Sequence, residues 1–266
     1  MKEYDIVYSI GRDCANSTFL KKRGLRVTSG PFDWLTKADF ETRIQLICQD
    51  FVDFLNKDDL QIREKPTHVV TDTACDSYEN TRTGFYFYHD FPAGVPLDES
   101  YPLVKEKYDR RIARFLKKVQ EEERVLLVWF SHEPTVNKLD VKTLCDAVCK
   151  RFNKRIDFLL IEHDENVPKG EWVHQSIADN IEYYTLFTQK YDSNGALTTF
   201  GREEAIFPIY TRYTLPGLEE RMRRKKTRKR IGRILSMLLP VRSWRKRIRD
   251  SIKNYLLMIT IVTPML

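Results

Sequence analysis

The chain has 266 residues, 42% hydrophobic and 12% aromatic, which supports one large packed domain with an appendage and is too short for two ordinary domains plus a tail. Its net charge of +7 is uneven: residues 221–249 hold 14 Lys or Arg and no Asp or Glu, so the rest of the chain is net acidic and the overall basicity says nothing about the body's partners. Five cysteines (Cys14, Cys48, Cys75, Cys145 and Cys149), odd in number and without metal-ligand spacing, follow an opening segment with no apolar leader; they predict free thiols in a cytoplasmic protein with neither metal nor cofactor.

Residues 4–10 read as a short buried strand. Gly11 then allows a sharp turn, Asp13 caps a helix over 14–23, and Gly24 stops it. Cys14 therefore sits in the first turn of a helix, where the positive end of the backbone dipole is expected to lower a thiol pKa. A helix follows over 37–56, with Phe40, Ile44, Ile47, Cys48, Phe51, Val52 and Leu55 on one face. A loop-rich stretch enclosing a short strand at 68–70 leads to an aromatic strand at 84–88 that ends in His89 and Asp90. Beyond it come a helix over about 101–122, a strand at 124–130, a helical stripe through Val141, Cys145 and Val148, and strands at 155–162 and 181–187. This alternation predicts a layered α/β fold over 1–215, with a mainly parallel sheet and helices on both faces. A basic amphipathic helical tail is expected over 216–266.

The segments Ser9 to Cys14, Leu20 to Arg26, Gly30 to Leu35 (Gly-Pro-Phe-Asp-Trp-Leu) and Phe87 to Phe91 (Phe-Tyr-His-Asp-Phe) occur in that order. Over about residues 4–130 the chain resembles the bacterial family named "putative papain-like cysteine peptidase", whose biochemical function is unassigned. The resemblance implies a cysteine hydrolase and points at Cys14, Asp33, His89 and Asp90. It also implies the papain arrangement of a helical lobe and an antiparallel barrel. The alternating pattern contradicts that arrangement, and the architecture is taken from the pattern.

Chemistry is expected beyond the carboxyl ends of the parallel strands. Arg12, Asp13 and Cys14 follow the first strand, His89 and Asp90 the aromatic one, His132 and Glu133 the strand at 124–130, and His163 and Asp164 the strand at 155–162. A thiol nucleophile needs a base and a group that orients it. Cys14, His89 and either Asp33 or Asp90 meet that requirement. Backbone N–H groups at the helix start, with Asn16, are candidates to hold an oxyanion, and Arg12, Trp34, His132 and His163 to contact substrate. His163, Asp164 and Glu165 lack a second ligand set for a metal. Two other classes stay open: a transferase acting on surface glycan or lipid precursors, against which the absence of a Gly-rich phosphate loop counts, and a non-catalytic protein recruited to a membrane.

Within the tail, Ile231, Ile234, Leu235, Leu238, Trp244, Ile248 and Ile252 alternate with cationic residues. Cations beside apolar stripes and an interfacial Trp point to an anionic membrane surface, peripheral on its inner face, or to a partner protein. Nucleic acid is unlikely on this pattern, because a phosphate-binding arm needs no apolar stripe. The last 11 apolar residues are too few to span a bilayer, which takes ~20.

Overall fold

The computed structural model describes residues 1–64, 74–198 and 200–237, and the chain divides into two compact units, Met1–Pro216 and Gly217–Leu266. In order, the first unit contains β1 (Lys2–Glu3), β2 (Ile6–Gly11), α1 (Cys14–Arg23), β3 (Leu35–Lys37), α2 (Phe40–Cys48), β4 (Leu60–Glu64), β5 (Cys75–Asn80) and β6 (Phe85–Pro92). It continues with α3 (Leu97–Glu121), β7 (Val125–Ser131), α4 (Val141–Phe152), β8 (Asp157–His163), β9 (Trp172–Ala178), β10 (Ile181–Leu186), α5 (Glu203–Tyr210) and β11 (Tyr213–Thr214). The second unit holds α6 (Leu218–Met237). The expected strand at 68–70 and the tail beyond 237 lie outside the described residues.

The main sheet has the order β2-β7-β8-β10-β9, parallel throughout except for the antiparallel edge strand β9. Its central strands are buried on both faces, as near-continuous apolar runs require. Tyr8, Ile10, Leu127, Trp129, Phe158 and Leu160 share one core with Ile44 of α2, Phe115 of α3 and Val148 of α4. On the opposite face Phe19 of α1 packs against Phe130 at 5.8 Å and Phe207 of α5 at 5.9 Å. The molecule is thus the layered α/β fold that the alternation predicts.

A second sheet, β3-β6-β5-β4, is antiparallel and was not legible in the sequence. The aromatic strand belongs to it. β6 runs on to Pro92, so His89 and Asp90 lie within an antiparallel strand and do not end a strand of the parallel sheet. The helix expected over 37–56 is shorter. α2 stops at Cys48, and Asp50, Phe51 and Asp53 take positive φ of 53°, 61° and 58°. That reversal places Phe51 5.3 Å from Phe32 and 5.8 Å from Phe54 and Phe115, so aromatic packing overrides the helical pattern. Cys48 is only half-buried against the core, whereas Cys145 is wholly inside it.

One side chain ties the sheets to the turn after β2. Arg43, on the inner face of α2, is 0% exposed. Its Nε donates to Ala38 O at 3.1 Å, Nη1 to Ile10 O at 3.2 Å and Nη2 to Arg12 O at 2.7 Å. The rings of Phe85, Phe32 and Trp129 surround the guanidinium at 4.8, 5.3 and 5.6 Å. Replacing Arg43 by Met strands three carbonyls in a dry interior and should cost about 3 kcal/mol or more in urea denaturation. Arg43→Lys, which keeps the charge and part of the bonding, should cost less; a loss below ~1 kcal/mol for the Met variant would contradict this role.

Candidate functional site

α1 begins as the sequence predicts. Asp13 takes extended dihedrals (φ −138°, ψ −173°) and its carboxylate accepts the Ala15 N–H at 2.8 Å, while Gly24 closes the helix at φ 78°. Gly11 is needed for packing as well as for its φ of 146°. A Cβ there would lie 2.3 Å from the Trp129 ring. Arg43 draws the carbonyls of Ile10 and Arg12 inward, and across a trans peptide the N–H points opposite to the carbonyl. The Asp13 N–H therefore points away from the guanidinium.

Two bonds lay the segment 33–37 along this turn. Ser17 Oγ donates to Asp33 O at 2.8 Å, and Arg12 Nε donates to Lys37 O at 3.0 Å. Trp34 lies on that segment and meets the His89 ring edge-on, with centroids 5.9 Å apart. One side of the Cys14 turn thus meets the segment that carries Trp34, which in turn contacts His89. The other flank comes from β7, because Gly11 pairs with Trp129 and the Arg12 N–H donates to Phe130 O. There Arg12 forms an ion pair with Glu133, and His132 faces Asp13 electrostatically.

The thiol is half-buried. Burial, reinforced by the Asp13 carboxylate, pushes Cys14 up to about 11 against the small opposing effect of its own backbone N–H. This reverses the sequence expectation of a lowered pKa, since desolvation and a neighbouring anion outweigh the helix start. Burial pushes the Asp33 carboxyl up to about 6, opposed by Arg26, whose Nη1 lies 2.6 Å from Asp33 Oδ2. The Gly30 N–H donates to the same oxygen at 3.1 Å, so Asp33 braces the turn around it. Asp90 pairs with Lys107 and accepts the Tyr108 hydroxyl at 2.9 Å. Both oxygens of Asp90 and Oδ2 of Asp33 are thus bonded, while Asp33 Oδ1 is buried without a hydrogen-bond partner among the described residues. His89 itself is half-buried, and burial together with Lys107 lowers its pKa despite Asp90.

Asn16 is spent on the fold. Its Nδ2 donates to Gly11 O and Val128 O, both at 2.7 Å, and its Oδ1 accepts the Tyr210 hydroxyl at 2.7 Å. His132 and His163 are buried, 7% and 5% exposed, on either side of Thr188. The Thr188 hydroxyl lies 3.0 Å from His132 Nδ1, and its N–H donates to His163 Nδ1 at 3.0 Å, which leaves the proton of a neutral His163 on Nε2. Glu162 anchors the loop that carries His132: it accepts the N–H groups of Thr135 and Val136 at 3.0 and 3.1 Å and the Tyr183 hydroxyl at 2.7 Å. A cavity of about 460 Å³ opens beyond β8 and β10, with Glu162, His163, Tyr183 and Gln189 in its wall. Among the described residues no cluster of three His, Cys, Asp or Glu could hold a metal, and no helix is long and apolar enough to cross a membrane.

Arg43 and Thr188 were missed in the sequence. Arg43 had a signal, since it falls between Phe40 and Ile47 on the apolar face of α2, where a charge is out of place unless it is bonded. Thr188 had none.

A family model described as "Putative papain-like cysteine peptidase (DUF1796)" matches residues 5–166. An uncharacterized protein of Acanthamoeba polyphaga mimivirus is 27% identical over 209 residues, covering 73% of this chain and 93% of that one. That relative is viral, so the likeness is not confined to bacteria. No solved structure matches the chain. The matched span contains Cys14, Trp34, His89 and His132, and the chain belongs to this papain-like cysteine peptidase family.

Proposed function

We propose that the protein is a cysteine-dependent hydrolase or acyltransferase, with Cys14 as nucleophile and His89 as its base. The observation that supports this reading is the pair of bonds from Ser17 to Asp33 O and from Arg12 to Lys37 O, which tie the segment carrying Trp34, in edge-on contact with His89, to the turn that carries Cys14. A thiol pushed up to about 11 is protonated at neutral pH, so its proton must leave during attack. His89, its own pKa lowered by burial, is neutral at that pH and able to accept it.

In the first step the Cys14 sulfur bonds to an acyl carbon while its proton passes to His89. The carbonyl electron pair moves onto oxygen, which the N–H groups of Asp13 and Cys14 would stabilise. The leaving group departs with the proton from His89, giving a thioester on Cys14. Water or an acceptor hydroxyl or amine, deprotonated by His89, then displaces the sulfur, which takes that proton back from His89 as the product leaves. Trp34 holds the imidazole edge-on, a packing role in place of an orienting carboxylate. Cys14→Ser should abolish hydrolysis of activated esters, and His89→Gln should lower kcat/KM ~10²–10⁴-fold with little effect on folding. Full activity in either variant would overturn the assignment.

The raised thiol pKa gives an independent pH test. Carboxymethylation of Cys14, followed by peptide mass spectrometry, should reach half its maximal rate well above the ~8.5 of a free cysteine. A half-rate pH below that value would mean a resting thiolate paired with an imidazolium.

The same reading extends to the tail. α6 carries nine Lys or Arg, with its carboxylates confined to Glu219 and Glu220, and the sequence beyond it adds apolar residues and Trp244. Such a segment fits an anionic membrane surface and would hold the enzyme there as a peripheral protein. Vesicles containing phosphatidylserine should bind the full chain. Salt should weaken binding without abolishing it, and the triple variant Ile234→Ser, Leu238→Ser, Trp244→Ser should release the protein at low salt. Undiminished binding by that variant would leave only electrostatics, and no binding by the native chain would point to a protein partner.

A further inference from the structure

The cavity of about 460 Å³ at the carboxyl ends of β8 and β10 has no part in the mechanism above. Open parallel sheets bind their ligands in this place, and its volume falls within the ~300–1,000 Å³ of small-molecule sites. Glu162, wholly buried, builds one wall. It accepts the N–H groups of Thr135 and Val136, the Thr135 hydroxyl, the Trp129 ring N–H and the Tyr183 hydroxyl, so its oxygens are spent on holding the loop after β7. Two other buried side chains in the wall are not spent. Thr185 is 9% exposed, and its hydroxyl has no hydrogen-bond partner among the described residues. His163 is 5% exposed; its Nδ1 takes the Thr188 N–H, and no hydrogen bond among the described residues uses the Nε2–H of the neutral ring. The register pairs Thr185 with Glu162 and Leu186 with His163, which sets the two groups one residue apart at the ends of adjacent strands. Buried polar groups are normally bonded, so a pair left open towards a cavity of this size marks a ligand's place.

We propose that this cavity binds a neutral sugar residue. The charges around it are of both signs. Lys138 lies over the Tyr183 ring at 4.6 Å and forms no ion pair among the described residues, while Asp164 and Glu165 stand in the same wall. An anion would meet the two carboxylates, and a cation would meet Lys138 and the His163 donor; a neutral ligand escapes both penalties. A hydroxyl accepts from His163 Nε2 and donates to Thr185 Oγ1 at once, because it carries a proton and lone pairs together. Asp164 uses Oδ1 for the Asn166 N–H and amide, which leaves Oδ2, with Glu165, to accept further hydroxyls. Pro134 and Val136 offer apolar surface to the C–H face of a sugar ring. A peptide brings one N–H per residue and cannot serve so many acceptors. The inference does not rest on the reading of Cys14 as nucleophile, and its test reads binding alone.

Saturation-transfer NMR on the full chain, with glucose, galactose and N-acetylglucosamine as probes, should show at least one of them bound with a Kd of ~1 mM. Inorganic phosphate, arginine and N-acetylalanine methylamide should not displace it. Thr185→Val removes the hydroxyl at nearly constant shape, and His163→Asn keeps an acceptor for the Thr188 N–H while removing the ring donor. Each should weaken sugar binding about tenfold, with circular dichroism and thermal midpoints as the check on folding. Thr185 has no hydrogen bond to lose, so its variant tests the site even if the His163 variant does not fold. Binding of none of the three sugars, undiminished binding by Thr185→Val, or displacement by phosphate, arginine or the peptide amide would overturn the proposal.

Discussion

A guanidinium bonded to no carboxylate among the described residues, sealed in an aromatic box, holds the turn and the strand beside it together. Taking an Arg out of water costs several kcal/mol, and an ion pair is the common way to offset that. Here the offset comes from three backbone carbonyls and three ring faces. Burial lowers the Arg43 pKa to about 9, which still leaves it charged at neutral pH. The carbonyls it binds are those of Ile10, Arg12 and Ala38. The first two shape the turn that presents Cys14, and the third fixes the chain between β3 and α2. A single cation therefore sets the conformation of the turn and the position of the strand beside it.

From that constraint the two sheets acquire separate tasks. The parallel sheet supplies the Cys14 turn at the end of β2 and, at the ends of β7 and β8, the imidazoles on either side of Thr188. The antiparallel sheet supplies the segment bonded to this turn, with β3 pairing to β6 so that Leu35 lies across from Phe87, and Trp34 packs edge-on against His89. Cys14 lies where the end of one sheet meets the edge of the other. Phe54, Phe85, Phe87 and Tyr108 pack the second sheet onto α3 with centroid distances of 5.5 to 6.4 Å, so that flank is carried on a packed base.

Much of the parallel half was legible because its signals are local. Asp13 and Gly24 bracket α1, the runs of β7 and β8 are apolar on both faces, and Val141, Cys145 and Val148 repeat at helical spacing. The antiparallel half was not, because β3 has three residues and pairs with a strand some fifty positions away. The same gap misplaced His89 at a strand end and left its flank to be found from hydrogen bonds of Ser17 and Arg12. The thiol pKa failed for another reason. A helix start is visible in sequence, whereas the burial and the carboxylate that oppose it depend on tertiary packing.

Those opposing effects define the chemistry. In the proposed mechanism a thiol held protonated becomes a nucleophile only as its proton passes to a neutral imidazole, so reaction would depend on a bound acyl group. Covalent capture reads this directly: incubate the full chain and its His89→Gln variant with an activated acyl ester, then map the adduct by peptide mass spectrometry. The account predicts a hydroxylamine-labile thioester on Cys14 that turns over in the native chain and persists in the variant, where deacylation lacks its base. Acyl groups spread over other cysteines and lysines, with the Cys14 peptide unmodified, would contradict it.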